Sequence, residues 1–204
     1  AGMRAPVKFA MITLIGLGLG WFFYSKLGVH AIHVPFAGAW EVGVWIIPIF
    51  AFAVVATGNA VNITDGLDGL AGGLASSAFF AYAVIAILDQ QFGLAGFCFT
   101  MLGALVSYLW FNIYPARFFM GDVGAFALGC SLAVVAMLTD TLLVLPLIGL
   151  VFVMETLSVI IQLTSKRIRH KKIFKSAPVH HHLEASGWPE TKVTMRFWLI
   201  GAVC

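Results

Sequence analysis

The chain has 204 residues, of which 61% are hydrophobic and 10% charged, and a formal net charge of +3 at pH 7. A soluble globular domain is about half apolar and about one quarter charged, so that class is excluded. Apolar runs near 20 residues place the chain among membrane proteins instead.

In chain order, the apolar runs predict six complete spans, at 9–27, 42–57, 70–88, 94–111, 124–139 and 142–164, and a truncated seventh starting near 195. Each complete run suits a helix across a hydrocarbon core of about 30 Å, the shorter ones with help from their flanks. Lipid tolerates no unpaired backbone, so these spans are helical. Strand alternation is absent, which argues against a β-barrel. The fold class is an all-α polytopic bundle forming one integral-membrane domain over residues 1–204. The first run carries no signal-peptide cleavage site. An opening residue other than methionine and a final apolar run cut off after Trp198-Leu-Ile-Gly-Ala-Val-Cys lead to the expectation of a fragment of a longer membrane protein, with its N-terminal part missing. Cys98, Cys130 and Cys204 show no metal spacing or disulfide framework, and read as inert thiols.

Lysine and arginine favour the cytoplasmic side of short loops. With Arg4 and Lys8 inside, the spans alternate so that Arg117, Lys166, Arg167, Arg169, Lys171, Lys172, Lys175, Lys192 and Arg196 are also inside, and Lys26 alone is outside. Three polar loops then share the cytoplasmic face: those around Asp65 and Asp68, around Asp122, and around His180–His182. Gly16 and Gly20 form a GxxxG pair of the kind that marks close helix packing. Loop 28–41, with His30, His33, Pro35 and Trp40, is predicted to lie at the outer interface, where tryptophan is common.

The first candidate site is Gly58–Gly73, GNAVNITDGLDGLAGG, which sets Asn59, Asn62, Asp65 and Asp68 at steps of three. On one unbroken helix, residues nine apart point to opposite sides. A break near Thr64–Gly66 is therefore predicted if the four are to converge. Helix capping by Asp65 would account for one carboxylate, but not for two Asp and two Asn in so apolar a chain. The second site is FNIYPARFFMGDVG, residues 111–124, which presents Asp122 just before a helix and holds Asn112, Phe118 and Phe119. The third is the basic run KRIRHKKIFK followed by APVHHHLEASGWPE, residues 166–190. Consecutive histidines do not easily bind one zinc ion, so phosphate donors or a proton carrier fit better. Glu155 and Gln162, seven apart, share a helix face. Glu155 is expected to pair with a neighbour inside the bundle, and Gln162 is left open.

Carboxylates beside a basic loop at the cytoplasmic edge suit Mg²⁺ and phosphate, the parts of phosphoryl transfer. The membrane setting implies a lipid substrate, and no nucleic-acid partner is expected.

The stretches GNAVNITDGLDGLAGG, FNIYPARFFMGDVGA, ETLSVIIQ and PVHHHLEASGWPE resemble, in order along the chain, the bacterial phospho-N-acetylmuramoyl-pentapeptide transferases (translocase I). These belong to the polyprenyl-phosphate N-acetylhexosamine-1-phosphate transferase superfamily. The Asn/Asp and GDVG motifs are superfamily-wide, whereas the triple histidine with its Gly-Trp-Pro-Glu tail points to the muramoyl-pentapeptide branch. The resemblance implies transfer of phospho-MurNAc-pentapeptide from UDP-MurNAc-pentapeptide to undecaprenyl phosphate, giving lipid I and UMP in peptidoglycan synthesis. It implies Mg²⁺ dependence and a site on the cytoplasmic face of the bacterial inner membrane, and it is compatible with a homodimer. By motif, Asp122 is the implied Mg²⁺ ligand, and Asp65, Asp122 and His180 are the implied catalytic groups. Asn62 and Asp65 would line the sugar-phosphate cleft. Phe119 would stack on the uridine, with Asp68 bonding it and Asn112 supporting the pocket. Gln162, His181 and His182 would contact the rest of the donor or its peptide.

Two departures accompany the resemblance. The family's adjacent Asp-Asp pair is absent from this chain, so activity from these residues alone is not expected. Ala125 stands where Ser is usual. Direct attack by the lipid phosphate and a phospho-aspartate route are both open. The competing readings are a sister transferase using UDP-GlcNAc and, from another class, an ion-coupled transporter with Asp65, Asp68 and Glu155 along an ion path.

Overall fold

The computed structural model describes residues 5–204; Arg4, counted on the inner side above, lies outside the described residues. The elements are α1 (Ala5–Ser25), β1 (Ala31–Val34), β2 (Gly38–Glu41), α2 (Ile46–Thr64), α3 (Leu70–Leu88), α4 (Phe92–Asn112), α5 (Gly121–Leu138), α6 (Leu145–Ile148), α7 (Leu150–Arg169), α8 (Val179–Glu184) and α9 (Glu190–Val203). The all-α membrane bundle is as predicted. Among the described residues five helices, the first five α elements, are long and apolar enough to cross a membrane.

Two details differ from the prediction. The run 142–164 is not one span: it breaks at Gly149 into the single turn α6 and the longer α7. Any 18-residue window of α7 takes in Glu155, Gln162 and Lys166, which keeps it below the apolarity of the other five. The second detail is loop 28–41, which folds as a small antiparallel hairpin pairing Ala31 with Glu41 and Val34 with Gly38.

The bundle closes where side chains are small. A Cβ on Gly20 would come within 2.7 Å of the Ile47 carbonyl oxygen, and one on Gly16 within 3.0 Å of the Ala51 Cα. The GxxxG pair thus brings α1 onto α2 at backbone contact, as its spacing predicts. Gly129 of α5 meets Thr57 and Gly58 of α2 in the same way. α3 is the most enclosed span, with Phe79, Tyr82 and Ala83 fully buried. In contrast, α4 leaves Phe92, Phe97, Phe99 and Trp110 exposed. Trp198 of α9 packs on Gly73 and donates its indole N–H to the Gly69 carbonyl at 3.1 Å, which docks α9 against the start of α3.

The loops separate into two sets, as the charge parity requires. At one end the His33 N–H reaches Asp140 Oδ1 at 3.4 Å, and Gln91 Nε2 donates to the Leu138 carbonyl at 3.1 Å. At the other end the segments after α2, α4 and α7 meet. That second end is where the polar motifs lie.

Candidate active site

α2 stops at Thr64, and Asp65 leaves the helix with φ −75° and ψ 49°. The chain turns through Gly66–Asp68 and enters α3 from Gly69, whose φ of 74° is left-handed. The predicted break is therefore present. Asp65 closes α2 rather than capping α3, whose N-cap, Gly69, makes no side-chain bond. The break sends the four polar residues to different tasks.

Asn62 Nδ2 donates to Asp122 Oδ1 at 3.0 Å. Asp122 sits in the first turn of α5, where a helix favours a negative charge, and its side chain is half exposed. Its second oxygen is held by the Lys8 ammonium from α1. Asp65 lies beside this pair. Burial pushes its carboxyl above the usual range, the Asp122 charge adds to the rise, and the Gly121 N–H opposes it. Asn59 stays outside the cluster and bonds the Val55 carbonyl of its own helix at 2.7 Å.

Asp68 joins three segments. Its carboxylate accepts the Ala116 N–H at 2.9 Å, its own N–H donates to Glu190 Oε1 at 2.7 Å, and its carbonyl accepts from Thr194 Oγ1 at 3.3 Å. Asn112, nearly fully buried, does similar work. Its Oδ1 accepts the Gly69 N–H at 3.0 Å, and its Nδ2 donates to the Phe118 carbonyl at 2.9 Å. Phe118 packs edge-on against Tyr108 and beside Phe111, whereas Phe119 is 70% exposed. Asn112 is thus placed to support a pocket, and Phe119 offers a free aromatic face.

The three histidines split. His180 is fully buried, and Glu155 is the partner its environment demands. Glu155 Oε2 lies 3.0 Å from His180 Nδ1, and Oε1 accepts the His180 N–H at 3.2 Å. Glu155 is the internally paired residue expected from its place in an apolar helix. The other ring nitrogen of His180, Nε2, has no hydrogen-bond partner and lies against Gly66, where a Cβ would come within 2.5 Å of it. His180, expected to be catalytic, is thus enclosed between Glu155 and the turn that carries Asp65. His181 is exposed and bonds Glu184 at 2.7 Å. His182 Nδ1 accepts the Lys175 N–H at 3.1 Å, and its ring meets Phe174 edge-on. Gln162, buried, accepts the Ile173 and Phe174 N–H groups at 3.0 and 3.1 Å and donates to the Phe174 carbonyl at 2.9 Å.

Asn62, Asp65, Asp122 and the unpredicted Lys8 therefore converge, with Asp68, Asn112 and Phe119 on the adjoining loops. Gln162, His180 and His182 form the frame behind them. Lys8 counted in the sequence only as an inner-side charge; its place in the first turns of a span beside α2 was the available signal. Glu190 and Thr194, which hold Asp68, were not singled out in the sequence; for Glu190 the available signal was its place at the end of the Gly-Trp-Pro-Glu tail.

Among the described residues, no three His, Cys, Asp or Glu side chains converge as a metal cage. Mg²⁺ seldom uses one. It keeps several waters and takes one or two carboxylates plus substrate phosphates. Asp122 and Asp65, close enough for one charge to disturb the other, with the Asn62 amide beside them, form a hard-oxygen donor set of that kind.

A family model described as glycosyl transferase family 4 matches residues 1–140. The chain is 50% identical over 180 residues to a phospho-N-acetylmuramoyl-pentapeptide-transferase of Chloroflexus aurantiacus, covering 84% of this chain and 49% of that protein. It is 48% identical to the enzyme so named in Chloroflexus aggregans, covering 99% of this chain and 59% of that one. A Levilactobacillus brevis protein of the same name is 43% identical, with 99% and 62% covered. The chain spans about half to three fifths of the length of these relatives.

Proposed function

Because the chain belongs to glycosyl transferase family 4, we propose that it carries the greater part of a phospho-N-acetylmuramoyl-pentapeptide transferase site. In this reading, phospho-MurNAc-pentapeptide moves from its UDP carrier to undecaprenyl phosphate. The products are lipid I and UMP, made at the cytoplasmic face of the bacterial inner membrane. The observation that carries the reading is the Lys8–Asp122–Asn62 cluster with Asp65 beside it, at the loop end that gathers the motifs. The names of relatives covering 99% of the chain support a phospho-N-acetylmuramoyl-pentapeptide as the transferred group.

Each residue then has a task. Asp122 and Asp65, steadied by the Asn62 amide, would hold Mg²⁺. When bound, the ion neutralises charge on the diphosphate, the principal demand in phosphoryl transfer. Lys8 keeps a cation at the Asp122 carboxylate and is within reach of phosphate oxygens there. Phe119 offers its exposed ring to the uracil, and Asp68 offers its second carboxylate oxygen to the same nucleoside. Asn112 fixes both loops through Gly69 and Phe118. Glu155 and His180 hold the Gly66 turn so that Asp65 faces Asp122. The ion-coupled transporter reading has no support from family membership.

The test is UMP release by the chain extended to the full length of its relatives, in lipid vesicles containing undecaprenyl phosphate, with UDP-MurNAc-pentapeptide and UDP-GlcNAc offered separately. Release from the first alone is expected. Release only from UDP-GlcNAc would move the chain to the sister transferases of the superfamily. Rapid-quench labelling without lipid acceptor separates the two chemical routes: a trapped phospho-aspartate supports the two-step route, and its persistent absence supports direct attack.

A further inference from the structure

The Gly-Trp-Pro-Glu tail has one member that the phosphoryl chemistry leaves unused. Trp188 precedes α9, and two cations from that helix meet its ring. Lys192 Nζ lies 4.7 Å from the ring centroid, and the Arg196 guanidinium carbon lies 4.4 Å from it. Trp188 is itself anchored: its N–H donates to the Leu183 carbonyl at 3.1 Å, and its side chain packs against the core. One fixed ring thus gathers two positive charges that would otherwise separate. Both cations are exposed, and among the described residues neither has an ion-pair partner. Glu190, the acidic residue of α9, is engaged elsewhere, since its Oε1 accepts the Asp68 N–H. Like charges held around one ring repel, and a bound anion relieves that cost.

Helix geometry sorts α9 into two stripes. Glu190, Thr194 and Trp198 recur at steps of four and bond the main chain of Asp68 and Gly69. Lys192 and Arg196 are offset from them by two residues, about 200° round the axis, and so lie on the opposite side. The cations therefore face away from the candidate site. Three and four residues beyond each cation stand Met195, Leu199 and Ile200, with Val203 a turn further on, all exposed and Leu199 to 68%. One outward face of α9 thus passes from two gathered cations to bare apolar side chains. It begins at the loop end of the bundle that carries the polar motifs, where tryptophan and basic residues mark a membrane edge. A phospholipid has the same profile, a phosphate followed by acyl chains. A free phosphate or an acidic peptide would leave the apolar continuation uncovered.

We propose that Trp188, Lys192 and Arg196 form a site for the phosphate of an anionic phospholipid, whose acyl chain lies along Met195 and Leu199. The inference stands on the membrane fold and does not depend on the transferase reading above.

The test uses the chain extended to the length of its relatives, in a neutral detergent, with bound lipid and oligomeric mass both read by native mass spectrometry. Phosphatidylglycerol and phosphatidylcholine of matched chains are titrated separately. Phosphatidylglycerol binds the unmodified protein more tightly, by about tenfold. Lys192→Gln with Arg196→Gln brings the two lipids together. Trp188→Leu keeps every charge but releases the cations, and lowers the preference by about threefold; Trp188→Phe restores it. General attraction to a basic protein does not give that pattern. The control pair Arg167→Gln with Lys171→Gln removes the same charge away from Trp188 and preserves the preference. The inference is overturned if the two lipids never differ, if the control pair acts as the cation pair does, or if a folded Trp188→Leu keeps the full preference. Should Trp188→Leu fail to fold, the two charge pairs decide the outcome alone. Displacement of phosphatidylglycerol by inorganic phosphate overturns it in favour of a soluble anion. Loss of a dimer rather than of bound lipid in the cation variant overturns it in favour of a second copy of the chain on this face.

Discussion

Gly66→Ala isolates the contact that ties the triple-histidine segment to the Asp65 turn. Gly66 lies outside the left-handed region of backbone space, so alanine meets no conformational strain there and the effect is steric. The new Cβ would lie 2.5 Å from His180 Nε2 and 3.0 Å from its Cε1, where ordinary contact begins at 3.4 Å. The ring must retreat by roughly an ångström. It is fully buried, so it can do so only by stretching the 3.0 Å bond to Glu155. Overpacking costs about 1–3 kcal/mol, and a lost hydrogen bond to a buried charged group about 1.5–3 kcal/mol. Partial relaxation shares these costs, so about 3 kcal/mol in total is expected. For a chain of this size that lowers the apparent Tm by about 6–12 °C. Tryptophan-fluorescence unfolding in detergent micelles measures it. The sharper check is the double variant. His180→Ala removes the ring that Gly66→Ala strikes, so the pair should be no less stable than His180→Ala alone. The non-additivity should then be about 3 kcal/mol, the whole cost of Gly66→Ala, at the upper end of the range found for residues in contact. A harmless Gly66→Ala, or two effects that simply add, would refute the contact and the positioning role drawn from it.

Asp122→Asn should lower UMP release by about 10²- to 10³-fold, the scale for removing one preorganised electrostatic group, and should abolish the response to added Mg²⁺. Intact Mg²⁺ dependence would show that the ion sits elsewhere. Phe119→Ala should weaken UMP as a product inhibitor without lowering the Tm, because the ring is 70% exposed. Phe118→Ala should do the reverse, losing the Tyr108 contact and costing stability. Gln162→Leu removes three hydrogen bonds to the Ile173–Phe174 turn; hydrogen exchange at those two amides should speed up while α2 and α3 keep their protection. Unchanged exchange there would show that Gln162 does not hold this turn.

The fold was legible where the bilayer dictates it. A lipid environment forces continuous apolar helices, so α1 to α5 appear in the sequence as runs, and lysine and arginine divide the loops correctly into two sets. The run 142–164 was misread because uniform apolarity hides a break. Nothing in its hydropathy distinguishes Gly149 from the small residues that merely allow close packing elsewhere. The hairpin at Ala31–Glu41 escaped because four-residue strands are too short for alternation to register. Within the site, Asn62, Asp65 and Asp122 could be read as a group because carboxylates and amides are costly beside apolar spans. Lys8 could not, since a lysine at the inner end of a helix already has an adequate explanation in membrane topology. The partners of Asp68 were hidden for another reason. Two of its bonds are made by its own main chain and a third by the Ala116 N–H, and backbone groups leave no mark in a sequence.

The motif residues divide by what remains free on each side chain. Asn112 uses both ends of its amide between Gly69 and Phe118; Gln162 spends its amide on Ile173 and Phe174; His180 is fixed through Glu155, and His182 holds Lys175. Such groups have little left to offer a ligand, and removing one leaves its buried partners unpaired, at about 1–3 kcal/mol each. Asp65, the second oxygen of Asp68, the half-exposed Asp122 and the ring of Phe119 retain capacity. Both kinds recur in the motifs because neither works alone. The frame residues come from helix ends far apart in sequence, and only their bonds bring Lys8, Asn62, Asp65 and Asp122 to one surface. A polar residue in this chain is therefore first assigned to frame or surface by counting its unspent hydrogen-bonding groups. On that count we propose that the substrate-facing surface runs from Lys8 and Asp122 past Asp65 and Phe119, with the His180 frame behind it.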